Sequence, residues 1–152
     1  MLDAQLALFL AEGLGIHIGT RTKQLQPNGA RVTAVRVDDD GMHLWAYVPQ
    51  AAAGRVVPDL QATGPAAVVF ARPTDDRACQ VKGVFAGVRV ATTDEQPFVV
   101  AQWERFLANL EQIGIPRDAL AGWSIWPSMA IRIRVTALFD QTPGPGAGAP
   151  LG

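Results

Sequence analysis

Arg77–Ala91, RACQVKGVFAGVRVA, is the stretch whose reading decides the fold. From Cys79 to Lys82 the residues alternate, Cys79 and Val81 toward one face and Gln80 and Lys82 toward the other. After Gly83 the apolar residues change parity, to Val84, Ala86, Val88 and Val90. A period of two that slips by one residue at a glycine predicts a β-bulge or a sharp bend. Such bends occur where a sheet closes into a barrel. Gln80 and Lys82 sit just before the bend. Their face is either the polar outer side of an edge strand or a surface offered to a ligand.

Outward from this strand the chain reads as short β segments joined by turns. Ala66–Ala71 is a compact apolar strand and Pro73–Asp76 a turn. Gly15–Thr20 alternates Ile16 and Ile18 against His17 and Gly19. PNGA at Pro27–Ala30 predicts a hairpin turn, because Asn-Gly accepts positive φ, and Arg31–Val37 predicts the returning strand. Asp38–Gly41 is another turn. Met42–Val48 places His43, Trp45 and Tyr47 on one face and Leu44, Ala46 and Val48 on the other. Met129–Phe139 sends Ile131, Ile133, Val135, Ala137 and Phe139 one way and Arg132, Arg134 and Thr136 the other.

Helical signals are fewer. Leu2, Leu6, Phe9 and Leu10 have helical spacing, with Gly13 as a stop. Pro49–Pro65 predicts a short helical or irregular crossover, with Pro58 near the start of a helical turn. Thr92–Gly114 carries the clearest helix. Thr93 and Gln96 suit a capping box, Pro97 falls in the first turn, and Val99, Trp103, Phe106, Leu110 and Ile113 form one stripe. About six strands result, so an antiparallel barrel with peripheral helices is the expected fold, mainly β. Residues 1–140 form one domain, and 141–152, rich in Gly and Pro, an extended tail.

Composition narrows the function. The 152 residues are 49% hydrophobic and 18% charged, as in a folded domain with a core. A net charge of −1 predicts no nucleic-acid partner. The single cysteine, Cys79, excludes an internal disulfide and reads as a small buried hydrophobe. No apolar run reaches membrane-spanning length, and the first residues lack the basic start of a signal peptide. A cytoplasmic protein without a membrane partner is expected. His17 and His43 have no metal-ligating company in the sequence, so no metal site is expected. Trp123 and Trp126, in GWSIWP, read as packing anchors or pocket walls.

Three segments together resemble the pyridoxamine 5′-phosphate oxidase-like family, the FMN-binding split barrels. Asn28–Val48 resembles the family's strand, acidic turn and aromatic-bearing strand. Ala78–Val88 is similar to its Arg-Gln-Val-x-x-x-Gly strand, and Ala137–Gly148 to the C-terminal strand and tail of small members. The resemblance implies a six-stranded antiparallel split barrel, a homodimer, and FMN at the dimer interface as cofactor of an oxidoreductase acting on a small molecule. It implies phosphate contacts from Arg31 and Arg36, which keep the family's five-residue spacing, and from Arg55. Gln80 and Trp45 fall where the family has residues beside the flavin ring. On a regular strand Arg31 and Arg36 would face opposite ways, so a shared phosphate requires a bend or two chains. The chain ends in AGAPLG and lacks the C-terminal Arg and His with which larger oxidases hold a pyridoxal substrate. The alternatives are a non-catalytic dimer binding flavin, haem or another ligand, and a deazaflavin-dependent reductase.

Overall fold

Seven strands and three α-helices follow in the order α1 (Ala4–Leu10), β1 (Gly15–Arg21), β2 (Pro27–Val32), β3 (Ala34–Val37), β4 (His43–Pro49), α2 (Gln50–Thr63), β5 (Pro65–Ala71), β6 (Ala78–Val90), α3 (Gln96–Gln112) and β7 (Ser128–Asp140). The computed structural model describes residues 2–152. One sheet takes all seven strands in the order β2-β1-β5-β6-β7-β4-β3, every pairing antiparallel. Its two end strands are consecutive in the chain, with Thr33 alone between them. The sheet is therefore an open, curled half-barrel whose edges meet through one residue. The inner faces supply the core, including Ile16, Ile18, Val35, Leu44, Ala46, Val68, Phe70, Val81, Ile131 and Ile133. No helix among the described residues is long and apolar enough to cross a membrane.

The count of seven rather than six strands comes from Thr33. Its N–H and its hydroxyl both donate to the carbonyl of Tyr47, at 2.9 and 3.1 Å. This pins the chain to β4 and ends its pairing with β1. Thr33 is also an extra residue in the alternation. Val32 and Val35 both face the core, so Arg31 and Arg36 both face outward despite their odd spacing. The bend that a shared phosphate would require exists, but it sends the two arginines to different halves of the sheet.

The predicted turn at Pro27–Ala30 is displaced. Those residues lie in β2, paired with Arg21, Thr20, Gly19 and Ile18 of β1, and the turn is Thr22–Gln26, with Leu25 at φ 64. Two tertiary effects override the Asn-Gly signal. Pro27 sits on an edge strand, where its missing N–H breaks no ladder. Asn28 donates its amide to Asp59 of α2 at 2.8 Å, and Thr20 donates to the same carboxylate at 2.9 Å.

The break in β6 is confirmed but has two parts. Between Lys82 and Gly83 the extra residue lies on β7, so β6 keeps its own alternation through Gly83 to Phe85. A side chain at Gly83 would force its neighbours to shift: a Cβ there would lie 2.5 Å from the Arg134 carbonyl oxygen and from Ile133 Cγ2. The slip in β6 itself falls between Phe85 and Gly87, at Ala86. Accordingly Phe85 and Val88 pack on the core, while Val84 and Val90 are exposed. Of the apolar run Val84, Ala86, Val88 and Val90, Val88 packs on the core, joined by Phe85; on β7 the extra residue Thr136 likewise turns Leu138 to the core in place of the expected Ala137 and Phe139.

The helices also differ in detail. Of the two readings for Pro49–Pro65 the helical one holds, but α2 is longer than expected, 14 residues, and Pro58 lies inside it and not near its start. Ala53, Val56 and Leu60 bury one face against the sheet, and that packing offsets the proline. The cap before α3 is Thr92 with Glu95, not Thr93 with Gln96; the Thr92 N–H donates to the Glu95 carboxylate at 2.8 Å. Val99, Trp103, Phe106 and Leu110 are buried as predicted, whereas Ile113 lies past the helix end and is exposed. Gln102, 1% exposed, pairs with the edge of β3. Its carbonyl accepts from Val35 N–H at 2.6 Å and its NH2 donates to Val35 C=O at 3.0 Å. The tail folds back on β7, with Leu151 N–H on Leu138 C=O at 2.9 Å.

Candidate binding site

A cleft of about 560 Å³ lies at the β2 edge of the sheet, beside the start of α2, and takes His17 and Arg31 from the outer face and Ile18 and Ala30 from the core face. Arg31 reaches it from β2, His17 from β1, and Pro49, Ala51, Ala52 and Arg55 from the β4–α2 junction. Gly122, Trp123 and Ser124, from the segment before β7, form the far wall. Among the described residues no acidic side chain lines it.

Arg31 is held by rings and not by a carboxylate. Its guanidinium carbon lies 4.7 Å from the centre of the Trp123 ring and 5.1 Å from that of Phe106. Both contacts favour a cation. Its Nε and Nη1 are buried and have no hydrogen-bond partner. Burial lowers the pKa of the guanidinium, which nevertheless stays charged at neutral pH. Buried donors left unpaired are costly, and the ring contacts on the guanidinium offset part of that cost. α2 adds to this. Its N-cap is Pro49, with no side-chain cap, so the first-turn N–H groups beside Ala51 and Ala52 carry the partial positive charge of a helix N-terminus.

Gln80 shares the outer sheet face with Arg31. The cross-strand register runs Arg31–His17–Val69–Gln80 from β2 through β1 and β5 to β6. Three strand spacings separate Gln80 from Arg31, about 14 Å. Lys82, two residues on, lies 5.0 Å from the Phe139 ring centre.

Arg36 and Trp45 lie elsewhere, paired across β3 and β4 on the other half of the sheet. Trp45 donates its indole N–H to Asp38 at 2.9 Å, and Asp38 also accepts from Arg132 at 2.7 Å. Arg89 stacks 4.6 Å from the Trp45 ring centre. Arg36 lies 3.9 Å from Glu95, which accepts from Arg89 and from the Tyr47 hydroxyl, each at 2.7 Å. Hydrogen bonds from Arg89 hold the Glu95 carboxyl well below the usual range. Burial first, then the bond to Glu95, pushes Tyr47 up to about 12. A single chain therefore brings Arg31 and Arg55 to one cleft and puts Gln80 on the outer sheet face with Arg31; it does not bring Arg36 and Trp45 to them.

No family model matches the sequence, and no curated protein does. Solved structures do match. HupZ of Group A Streptococcus superposes with a TM-score of 0.58 at 14% identity, over 98% of this chain and 99% of that one. A proposed pyridoxamine 5′-phosphate oxidase of Lactobacillus delbrueckii gives 0.57 at 13% identity, over 91% and 93%. An FMN-binding protein of Syntrophomonas wolfei gives 0.55 at 10% identity, over 88% and 82%. In fold, the chain is a pyridoxamine 5′-phosphate oxidase-like split barrel. At these identities the likeness concerns the fold alone.

Within this split barrel three contributors to the cleft were not among the expected site residues. Phe106 was assigned to the helical core stripe, and its second role, facing Arg31, is tertiary. His17 alternates out of β1 with no local partner, and the uncapped start of α2 follows from a helix longer than the sequence suggested. The split barrel also gathers Asp38, Asp40 and His43, whose ligand atoms lie within 4.8 Å of one another, a grouping that the sequence reading did not find. His43 Nδ1 is 2.6 Å from Asp40 Oδ2, and Asp38 is occupied by Trp45 and Arg132.

Proposed function

We propose that the protein binds FMN as a cofactor, with the phosphate in the Arg31–Arg55 cleft, and serves as a flavin-dependent oxidoreductase of a small molecule. The observation that supports this reading is a cleft lined by two arginines, Arg31 and Arg55, and, among the described residues, by no acid. A phosphate would take hydrogen bonds from the guanidinium edges that face the cleft, a geometry an arginine fork suits. The N–H groups of Ala51 and Ala52 would add to the cradle; that of Gln50 already donates to the Pro127 carbonyl at 2.9 Å. Gln80, on the same sheet face as Arg31, is placed to hydrogen-bond the edge of a flat ring extending away from the phosphate.

A bound flavin would supply the hydride chemistry, and the chain would supply binding, orientation and ring contacts. Trp123 and Phe106 keep the Arg31 charge free of any carboxylate, so it remains available to the ligand. Arg36 and Trp45 can join such a site only from a second copy, which is the role a homodimer would have here.

Fluorescence titration of purified protein with FMN tests this reading. Saturable binding is expected, and Arg31→Met, which keeps the packed stem, should weaken it about 30- to 700-fold. That range follows from losing about 2–4 kcal/mol of charge-assisted hydrogen bonding. Absence of FMN binding, or unchanged affinity in the variant, would refute the proposal.

A further inference from the structure

We infer that His17 is a third cationic ligand of the anion cleft, formed when the ligand's phosphate arrives, so that binding takes up a proton from solvent. The inference rests on the flavin-phosphate reading above. His17 on β1 stands directly across from Arg31 on β2, a pairing that sets the two Cβ atoms roughly 4.5–5.5 Å apart. Both line the same cleft as Arg55.

The groups facing His17 can be named element by element. β2 presents Arg31, and β5 presents Val69. Along β1 its outer-face neighbours are Gly15 and Gly19, and α3 brings Phe106 against Gly15. α2 supplies Arg55, and the segment before β7 supplies Trp123 and Ser124. Beyond β5, β6 carries Gln80 and Lys82. Every charged group in this set is a cation. With no anion beside it, the imidazole is kept neutral: partial loss of hydration first, then repulsion from Arg31, lower its pKa. A phosphate dianion between Arg31 and Arg55 replaces repulsion with attraction and raises it.

The direction of the linkage follows. A histidine whose pKa is higher in the complex than in the free protein strengthens binding fully below the free-protein value. That contribution is lost as pH rises through the value in the complex. Each unit of rise is worth about tenfold in affinity at the low-pH limit. Uncharged riboflavin would gain nothing, so His17 also sharpens selection for a phosphorylated ligand.

The chain has two histidines, His17 and His43, so their imidazole proton resonances can be followed separately by NMR and assigned with His17→Gln. The His17 midpoint should lie below the ordinary value of about 6.5 in the free protein and rise by about a unit with saturating FMN. Between pH 8 and pH 6 the wild type should gain about 3- to 6-fold in FMN affinity over His17→Gln, a comparison in which the ligand's own titration cancels. FMN that binds while the His17 midpoint stays fixed and both proteins share one pH profile overturns the inference. If FMN does not bind at all, the cofactor reading fails. Inorganic sulfate, a dianion that does not titrate in this range, then decides the role of His17 by the same midpoint: a rise supports it and no rise overturns it.

Discussion

Replacing Gln102 with leucine removes two hydrogen bonds at once and leaves the N–H and C=O of Val35 facing an apolar side chain. Both bonds are short, 2.6 and 3.0 Å, and Gln102 is buried. Leaving a buried polar group unsatisfied costs about 1–3 kcal/mol. Two such groups on one edge strand, partly relieved by water, put the loss at about 2–4 kcal/mol. In a domain of this length each kcal/mol is worth about 2–4 °C. Gln102→Leu should therefore melt about 4–16 °C below wild type. Gln102→Glu separates loss of packing from loss of pairing. Its carboxylate still accepts from Val35 N–H but turns a second oxygen toward Val35 C=O. Burial and that carbonyl raise its pKa in the folded state, so the variant's deficit should be small at acid pH and grow as pH rises. Urea unfolding of the three proteins across pH measures this. A Gln102→Leu variant within about 0.5 kcal/mol of wild type, or a Gln102→Glu deficit flat with pH, would show that the side chain does not secure the β3 edge.

Three further outcomes are expected. Gly83→Ala should cost about 1–3 kcal/mol by denaturant unfolding, because its methyl meets the Arg134 carbonyl and Ile133 at 2.5 Å; a neutral effect would mean the β6–β7 approach is looser than described. The single tyrosine, Tyr47, should form phenolate only near about pH 12 by ultraviolet absorbance. Because its folded pKa is raised, its contribution to stability is present below about pH 10 and lost as pH rises through about 12; a titration near 10 in the folded protein would contradict the burial and the Glu95 bond. Glu95→Gln should remove part of the protein's acid sensitivity. The depressed Glu95 carboxyl stabilises the fold above its unfolded pKa of about 4.3 and ceases to as pH falls toward its folded value, so equal acid unfolding of both proteins would count against the Arg89–Glu95–Tyr47 cluster.

Alternation was the legible part of the sequence. β4 could be read residue by residue, because one face meets the core and the sequence period is two, and β7 could be read as far as Val135, beyond which the extra residue Thr136 turns Leu138 to the core in place of Ala137 and Phe139. α3 was legible for the same reason at a period of 3.6. What escaped the reading is what depends on a distant partner. Asn28 looks like a turn residue until Asp59, 31 residues later, holds it in a strand. Pro58 looks like a helix start until burial of Val56 and Leu60 shows the helix running through it. Gly83 was correctly singled out, but the extra residue lies on β7, which a single strand cannot reveal. The candidate site shows the same division. Arg31, Arg55 and Gln80 were found through a family resemblance; the two arginines share a cleft, and Gln80 shares the outer sheet face with Arg31. Arg36 lies on the other half of the sheet, because Thr33 changes the alternation between it and Arg31. The aromatic walls around Arg31 come from α3 and the segment before β7, more than 70 residues away in sequence.

The account turns on whether the Arg31–Arg55 cleft selects phosphate. Equilibrium affinities for FMN and riboflavin, measured side by side on the wild type and on Arg31→Met/Arg55→Ala, address that directly. The wild type should favour FMN by about a hundredfold or more, as two charge-assisted contacts warrant, and the double variant should bind both nearly alike. Equal affinities in the wild type, or a preference for FMN that survives loss of both arginines, would contradict it.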